Sequence, residues 1–220
     1  MKFKLLVFDW DGTLMDSEAR ILACVKAAAE DSGVQSPTDD QIRNIIGLGL
    51  REAVETLFPS VDQALHQNLI ARYRIHYLNE DKTPSRLFPG AESVIRSLAE
   101  ADYLLAIATG KGRNGLNMVL EYTGLGDYFH ASRCADEAFS KPHPEMLEQI
   151  LDELGVFPGE ALMIGDTEYD LQMAANAGVA SLGVTYGAHT PERLARHNPL
   201  DCLHDISDIP DWLRRQALMK

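Results

Sequence analysis

Four short apolar segments constrain the fold of this chain most strongly, because each is nearly continuous rather than alternating with polar residues. They span residues 5–8, 104–108, 161–164 and 180–184. Strands that are buried on both faces have this pattern, as in a parallel sheet covered by helices. Segments with helical periodicity lie between them, at 91–100, 116–122 and 144–154. The alternation predicts an α/β fold with a doubly wound, Rossmann-like parallel sheet.

One long stretch departs from this alternation. Between residues 17 and 83 we find only helical patterns, with Thr38 predicted to cap the start of the second helix and Gly47-Leu48-Gly49 to form a break after which the helical pattern resumes. We therefore predict an α/β core domain made of residues 1–16 and 84–220, with an all-α domain of residues 17–83 inserted after the first strand.

Composition excludes several classes of protein. The 220 residues include 20 Lys and Arg against 33 Asp and Glu, a net charge of −13, which disfavours binding to nucleic acid. No apolar run approaches the 18 residues of a membrane span, and the N-terminus shows no leader pattern. The three cysteines lack metal-binding spacing, so we expect free thiols in the cytoplasm. Either a monomer or a homodimer is compatible with the sequence.

Polar residues follow the predicted strands at the edge where ligands bind in open parallel sheets. Asp9 and Asp11 follow the first strand, Thr109 and Lys111 the second, and Asp166 the third. Two more candidates are Asp170, one helical turn beyond Asp166, and Lys141, which we expect in a loop between helices.

Carboxylates that meet at one strand edge repel one another. Asp9, Asp11 and Asp166 are stable together only if protonated or if they hold a cation. Oxygen ligands in small number suit Mg²⁺, which keeps several waters and leaves room for substrate oxygens. The loop Thr109-Gly110-Lys111 adds a hydroxyl and backbone N–H groups that could hold an anion at a helix N-terminus.

Residues 110–115 offer an alternative, because they fit the G-x-G-x-x-G pattern of dinucleotide-binding proteins. This interpretation leaves the acids and Lys141 unexplained. A second alternative is a non-enzymatic module that stores a phosphoryl group on an aspartate. Such receivers also combine acids, Thr and Lys on a doubly wound sheet, but they lack a helical insertion.

Four motifs in chain order resemble the haloacid dehalogenase superfamily: Asp9-x-Asp11-Gly12-Thr13, Thr109, Lys141, and Gly165-Asp166-x-x-x-Asp170. The resemblance spans the whole chain, and the insertion is similar to that superfamily's α-helical cap. Within it, the opening residues 9–17 resemble phosphoglycolate phosphatases and β-phosphoglucomutases.

The resemblance implies a Mg²⁺-dependent phosphatase for small phosphorylated metabolites. Asp9 would attack phosphorus and form an aspartyl-phosphate, and Asp11 would act as general acid and base. Asp9, Asp166 and the backbone carbonyl of Asp11 would hold the metal. Asp170 would support it through water or through the other ligands.

The resemblance also implies a phosphate site made by Thr109, Gly110 and Lys141. In the cap, it directs attention to the loop that starts at Gly47, where Arg51 could clamp a substrate anion.

The activities of other members of the superfamily are alternatives, and the sequence favours some of them more than others. A phosphomutase differs only in the acceptor of the phosphoryl group and is the nearest alternative. Asp11 argues against a dehalogenase, which lacks that acid. Lys26 is the one lysine between residues 17 and 81 and lies in the first cap helix, which disfavours a Schiff-base mechanism.

Overall fold

The computed structural model of the protein describes residues 3–218. Met1 and Lys2, the start of the segment in which we expect no leader, lie outside the described residues. Within the described part of the chain, no helix combines the length and the apolar character needed to cross a membrane.

Eight strands and ten α-helices make up the described chain. The strands are β1 (Leu5–Phe8), β2 (Met15–Asp16), β3 (Arg86–Leu87), β4 (Leu104–Thr109), β5 (Ala131–Cys134), β6 (Ala161–Gly165), β7 (Ala180–Val184) and β8 (Cys202–Leu203). The helices are α1 (Glu18–Asp31), α2 (Asp39–Ile45), α3 (Leu50–Leu57), α4 (Gln63–Ile75), α5 (Ala91–Glu100), α6 (Arg113–Thr123), α7 (Glu145–Leu154), α8 (Glu168–Asn176), α9 (Pro191–Ala195) and α10 (Ile209–Leu218).

Six of the strands form one parallel sheet in the order β5-β4-β1-β6-β7-β8. The chain leaves the central strand β1 toward β4 and β5, and then returns to the other side for β6, β7 and β8. A crevice therefore opens where the carboxyl ends of β1, β4 and β6 meet. This arrangement confirms the predicted doubly wound parallel sheet.

Both faces of the sheet are covered by apolar helix surfaces. Along β1, Leu6 and Phe8 belong to one buried cluster, while Leu5 and Val7 belong to the other. The first cluster includes residues of α5, α6 and α10, and the second includes residues of α7 and α8. This is the alternation expected of a strand that is buried on both sides.

Helices α1 to α4 pack against one another and enclose two small apolar clusters of their own. As predicted, Thr38 caps α2: its hydroxyl accepts from the backbone N–H of Gln41 at 3.3 Å, and the Gln41 side chain accepts from the backbone N–H of Thr38 at 2.9 Å. The chain passes between these helices and the sheet twice, and the two passages pair as the antiparallel strands β2 and β3.

One local expectation, the place of Lys141, was wrong. Residues near 130 form strand β5 at the sheet edge, where the sequence shows no apolar run. Lys141 therefore lies in a loop between strand β5 and helix α7, rather than between two helices. Within the helical insertion, α4 ends at Ile75 and continues as a π-helical turn, His76–Glu80.

Candidate active site

Asp9 and Lys141 form the centre of the charged group at the end of β1. Lys141 Nζ lies 2.9 Å from Asp9 Oδ1 and 2.6 Å from Asp170 Oδ1, and the Lys141 and Asp9 residues are each 1% exposed. Burial opposes the charge of Lys141, but Asp170 and Asp9 outweigh this effect and raise its pKa above the usual value. The ammonium is thus held charged between two carboxylates.

Asp9 has one carboxylate oxygen in use and one free. Its Oδ1 accepts from the backbone N–H of Trp10 at 2.6 Å and meets Lys141, whereas its buried Oδ2 has no hydrogen-bond partner among residues 3–218. Burial raises the pKa of Asp9 well above its usual range; Lys141 opposes the shift, and Asp170 and Asp166 add to it.

Asp166, at the end of β6, is fully buried and fixed by two donors. The Thr13 hydroxyl donates to its Oδ1 at 2.8 Å, and the backbone N–H of Ala188 donates to its Oδ2 at 2.8 Å. Burial, with the nearby Asp170 charge, raises the pKa of Asp166 to about 7.

A divalent cation fits this group of acids. One carboxylate oxygen from each of Asp9, Asp166 and Asp170 lies within 4.8 Å of the others, and all three residues are buried. Three carboxylates beside one Lys141 ammonium leave excess negative charge among buried side chains. A hard cation with oxygen ligands would neutralise that charge and give Asp9 Oδ2 the partner it lacks. Asp170 has less freedom than Asp9, because Thr167 donates to its Oδ2 at 2.7 Å.

Glycine makes the close approach of these acids possible. Gly12 has a φ of +82°, and a Cβ there would lie 2.1 Å from Asp166 Oδ2. A Cβ at Gly187 would lie 2.2 Å from the same oxygen. Any side chain at either position would displace Asp166, so both glycines are needed to form the site.

Asp11 belongs to a second charged group beside the first. Its Oδ1 accepts from the Ser17 hydroxyl at 2.5 Å and lies 2.9 Å from Lys111 Nζ. Lys111 Nζ also donates to the Tyr77 hydroxyl at 2.5 Å, and Tyr77 follows α4 in the helical insertion. Burial disfavours the charge on Lys111, but Asp11 and Tyr77 raise its pKa above the usual value.

The loop after β4 does not match a dinucleotide site. The buried Thr109 hydroxyl accepts from the backbone N–H of Lys111 at 3.2 Å. At the start of α6, the Asp136 carboxylate accepts from the backbone N–H of Arg113 at 2.9 Å, so a side chain already takes the place of an anion there. A Cβ at Gly110 would lie 2.4 Å from Leu48 O, which shows that this glycine serves close packing.

The loop between α2 and α3 contacts the sheet edge at several points. Gly47, with a φ of +98°, leaves no room for a Cβ beside Thr167. The backbone N–H of Gly49 donates to the Ser140 hydroxyl at 2.7 Å, next to Lys141. Nearby, the Tyr169 hydroxyl donates to Asn44 O at 2.7 Å. The insertion is thus closed over the end of the sheet.

A cavity of about 580 Å³ remains between the insertion and the sheet, and it reaches Asp9 and Asp11. Gly47, Gly110 and Arg51 also line it. The Arg51 side chain is 72% exposed and lies 3.6 Å from Glu52, so nothing fixes it toward the acids. A role for Arg51 in binding an anion stays a prediction.

Six residues singled out in the sequence lie together at the carboxyl edge of the sheet: Asp9, Asp11, Thr109, Lys141, Asp166 and Asp170. The sequence missed the close association of Asp170 with Asp9 and the contact of Tyr77 with Lys111. The pattern Thr167-x-x-Asp170 was a usable signal for the first, because a capping box folds the acid back onto the preceding residues. Tyr77 is hidden within an apolar helical pattern.

Comparison with known proteins places this chain in a family. Residues 6–184 match the family model of the haloacid dehalogenase-like hydrolases. A probable phosphatase, IndB, of Dickeya dadantii is 33% identical over 209 residues, covering 93% of this chain and 91% of the relative. A phosphoglycolate phosphatase of Vibrio vulnificus is 29% identical over 221 residues, covering 94% and 96%.

A solved structure agrees with the sequence relatives. The chain superposes on a haloacid dehalogenase-like hydrolase from Bacteroides fragilis with a TM-score of 0.88 at 27% identity, covering 94% of this chain and all of the other. The family model, the fold and the acids at the ends of β1 and β6 lead to one assignment. This chain belongs to the haloacid dehalogenase-like hydrolases, and phosphatases are among its relatives within that family.

Proposed function

We propose that this hydrolase is a Mg²⁺-dependent phosphatase that cleaves small phosphate monoesters through an aspartyl-phosphate on Asp9. One observation carries the proposal: the buried Asp9 Oδ2 has no hydrogen-bond partner within residues 3–218, while Lys141 fixes the other oxygen of the same carboxylate. A carboxylate with one oxygen anchored and one free is suited to attack phosphorus. The phosphatases among the relatives support the substrate class.

Asp9, Asp166 and the backbone carbonyl of Asp11 would hold the Mg²⁺, with Asp170 in support. When bound, the ion lowers the repulsion between the Asp9 carboxylate and the phosphate dianion. Asp170 lies within reach of the same space, and its contacts with Thr167 and Lys141 suit a supporting position.

The residues of the chain divide the reaction between them. The Asp9 carboxylate forms a bond to phosphorus as the bond to the leaving oxygen breaks, and Asp11 donates a proton to that oxygen. Water then attacks the aspartyl-phosphate, Asp11 takes its proton, and inorganic phosphate leaves. Lys141, Thr109 and the backbone N–H of Gly110 would bind the phosphoryl oxygens and the charge that spreads over them.

Hydrolysis is preferred over transfer to a sugar hydroxyl in this proposal. The insertion presents mostly apolar side chains to the cavity, which is a poor surface for the hydroxyls of a sugar acceptor.

We take residues 17–83 as the cap domain over a core of residues 1–16 and 84–220. We also place the enzyme in the cytoplasm, where the free thiols of Cys24, Cys134 and Cys202 suit a reducing compartment.

Release of phosphate from p-nitrophenyl phosphate tests the proposal. With Mg²⁺ present, the wild type should turn over, and Asp9→Asn should lose at least about 10³-fold in kcat/KM. Asp152→Asn, an isosteric change on the exposed side of α7, is the matched control and should keep wild-type activity. Full activity of Asp9→Asn, or of the wild type in excess EDTA, would contradict the proposal.

A further inference from the structure

The cavity next to Asp9 has two chemically different sides. Its core side includes Asp9, Asp11 and Lys111, whereas its cap side is formed mainly by aliphatic side chains of α1, α3 and α4. Ile21 and Val25 come from α1, and Val54 comes from α3. These three residues are each no more than 8% exposed, so their contact with the cavity takes place inside the molecule.

The charged side chains that the cap contributes to the lining are Arg51, Glu52 and Arg74. Arg51 and Arg74 are exposed to solvent, and Glu52 has Arg51 as its neighbour at 3.6 Å. Lys111 is the lysine that lines the cavity from the core, and it already contacts Asp11 and Tyr77. Among the lining residues that the structure describes, the buried part of the cap wall therefore offers no free charge for a second anionic group.

The volume of the cavity adds a constraint. At about 580 Å³ it lies within the range of about 300–1,000 Å³ that proteins use for drug-sized ligands. The phosphoryl group has to lie against Asp9, and the organic part of the substrate then extends toward α1 and α3. A two-carbon acid such as glycolate would leave most of this space empty. Its carboxylate would also lose water against apolar walls without a dedicated partner.

Most of the accessible lining of this cavity is apolar. A hydrocarbon group placed against it would remove both that lining and its own surface from water, which is favourable in proportion to the apolar area buried. One kind of molecule therefore fits both sides of the cavity. It has a phosphate at one end, which meets the nucleophile, and an apolar body at the other, which meets the cap wall.

On the basis of the proposed function, we propose that the preferred substrate is a phosphate monoester of an uncharged hydrocarbon group, alkyl or aryl. The group is seated against α1, α3 and α4 of the cap. The phosphate is recognised by the core, and the apolar group is selected by the cap.

A series of n-alkyl phosphates from methyl to hexyl, assayed with Mg²⁺, tests this inference. Their leaving groups have nearly the same chemistry, so chain length changes binding and not reactivity. We expect kcat/KM to rise about two- to fourfold with each added methylene until the cavity is filled. We also expect hexyl phosphate to exceed phosphoglycolate.

Substitutions in the wall locate the effect. Ala53→Leu in α3 and Ala28→Leu in α1 each fill part of the cavity from a buried position, so either one serves if the other does not fold. We expect each to lower the ratio of hexyl to methyl kcat/KM by about tenfold. Ala64→Leu makes the same change at an exposed position of α4 outside the lining and should leave the ratio unchanged.

Four outcomes count against the inference. A flat alkyl series with measurable turnover would overturn it while the phosphatase assignment stands, and so would phosphoglycolate as the better substrate. A rising series that both filling variants leave unchanged would also overturn it, because the apolar site would then lie elsewhere. If no monoester, including p-nitrophenyl phosphate, releases phosphate, the proposed function and this inference fail together.

Discussion

The two sides of the cavity are held in place by different interactions. On the core side, Lys141 lies between Asp9 and Asp170, and Lys111 lies between Asp11 and Tyr77, so each charge is fixed by another group. On the cap side, the buried part of the wall is formed mainly by aliphatic residues, which act through their shape. The core can therefore position atoms for a reaction, and the cap can change its selectivity without disturbing them. Substitutions on the two sides should have different signatures.

The largest effect is expected from Lys141→Met, which removes the charge and keeps most of the side-chain volume. Asp9 and Asp170 then face each other in a buried site, and we expect a loss of about 3–5 kcal/mol in the free energy of unfolding. Urea unfolding without Mg²⁺ measures this loss, and kcat/KM should fall with it by at least about 10³-fold.

Lys4→Met is the control for that change, because Lys4 pairs with Glu160 at the surface. An exposed ion pair contributes about 0–1 kcal/mol. Equal losses in the two variants would show that burial does not distinguish the core charges from ordinary surface pairs.

The next effect is the stabilisation of the fold by Mg²⁺, which should depend on pH. Because the folded-state pKa of Asp166 is raised to about 7, its bound proton stabilises the metal-free fold fully below pH 4. That contribution is lost as the pH rises through 7. Mg²⁺ competes with this proton, so at 100 times its Kd it should raise Tm by about 5–10 °C at pH 8 and by less at pH 5.5.

Thermal unfolding in Mg²⁺ and in EDTA at the two pH values measures the difference. Asp166→Asn cannot take up or release that proton, and it should lose both the pH dependence and most of the gain. An equal Mg²⁺ effect at both pH values in the wild type would show that Mg²⁺ does not compete with the proton on Asp166.

A smaller effect is expected where the two sides meet. Tyr77→Phe removes the hydroxyl that accepts from Lys111 Nζ and keeps the ring. Loss of one charge-assisted hydrogen bond between cap and core should lower kcat/KM by about five- to tenfold. Tyr73→Phe is the control, because Tyr73 stacks on Tyr77 at 5.7 Å through its ring. If both variants behave like the wild type, the Lys111 contact does not hold the cap closed during turnover.

The smallest effect is expected from Arg51→Ala. The side chain is 72% exposed, so alkyl phosphates should change by less than about twofold in kcat/KM. A loss of tenfold or more with phosphoglycolate, measured beside Arg74→Ala, would indicate that Arg51 clamps an anion and that the cap also uses charge.

The sequence predicted the strands that are apolar throughout and missed those that are not. β1, β4, β6 and β7 lie inside the sheet and carry continuous apolar runs. β5 is an edge strand of sequence Ala-Ser-Arg-Cys, and its Arg133 side chain pairs with Glu153 near the surface. β2, β3 and β8 have two residues each, which is too short for any periodicity. Edge position and length, not a failure of the apolar rule, explain these misses.

The candidate site follows a similar division. Residues directly after the apolar runs could be placed from the sequence, because parallel strands end at one edge. The partner of each charge could not be placed in this way. Whether Lys111 or Lys141 faces Asp9 depends on loop conformation, and the contact between Tyr77 and Lys111 joins residues 34 positions apart. The apolar wall appears in the sequence only as ordinary helix periodicity.

The pairing of β2 with β3 has a consequence for how such an enzyme diversifies. The chain enters the inserted segment through β2 and leaves it through β3, and these two antiparallel strands pair Met15 with Leu87 and Asp16 with Arg86. The two ends of the inserted segment therefore lie side by side. Recombination at this junction could exchange the gene segment that encodes the inserted helices, and no strand of the main sheet would have to change its place. New substrates would then become accessible to a lineage while the ancestral reaction centre is inherited intact.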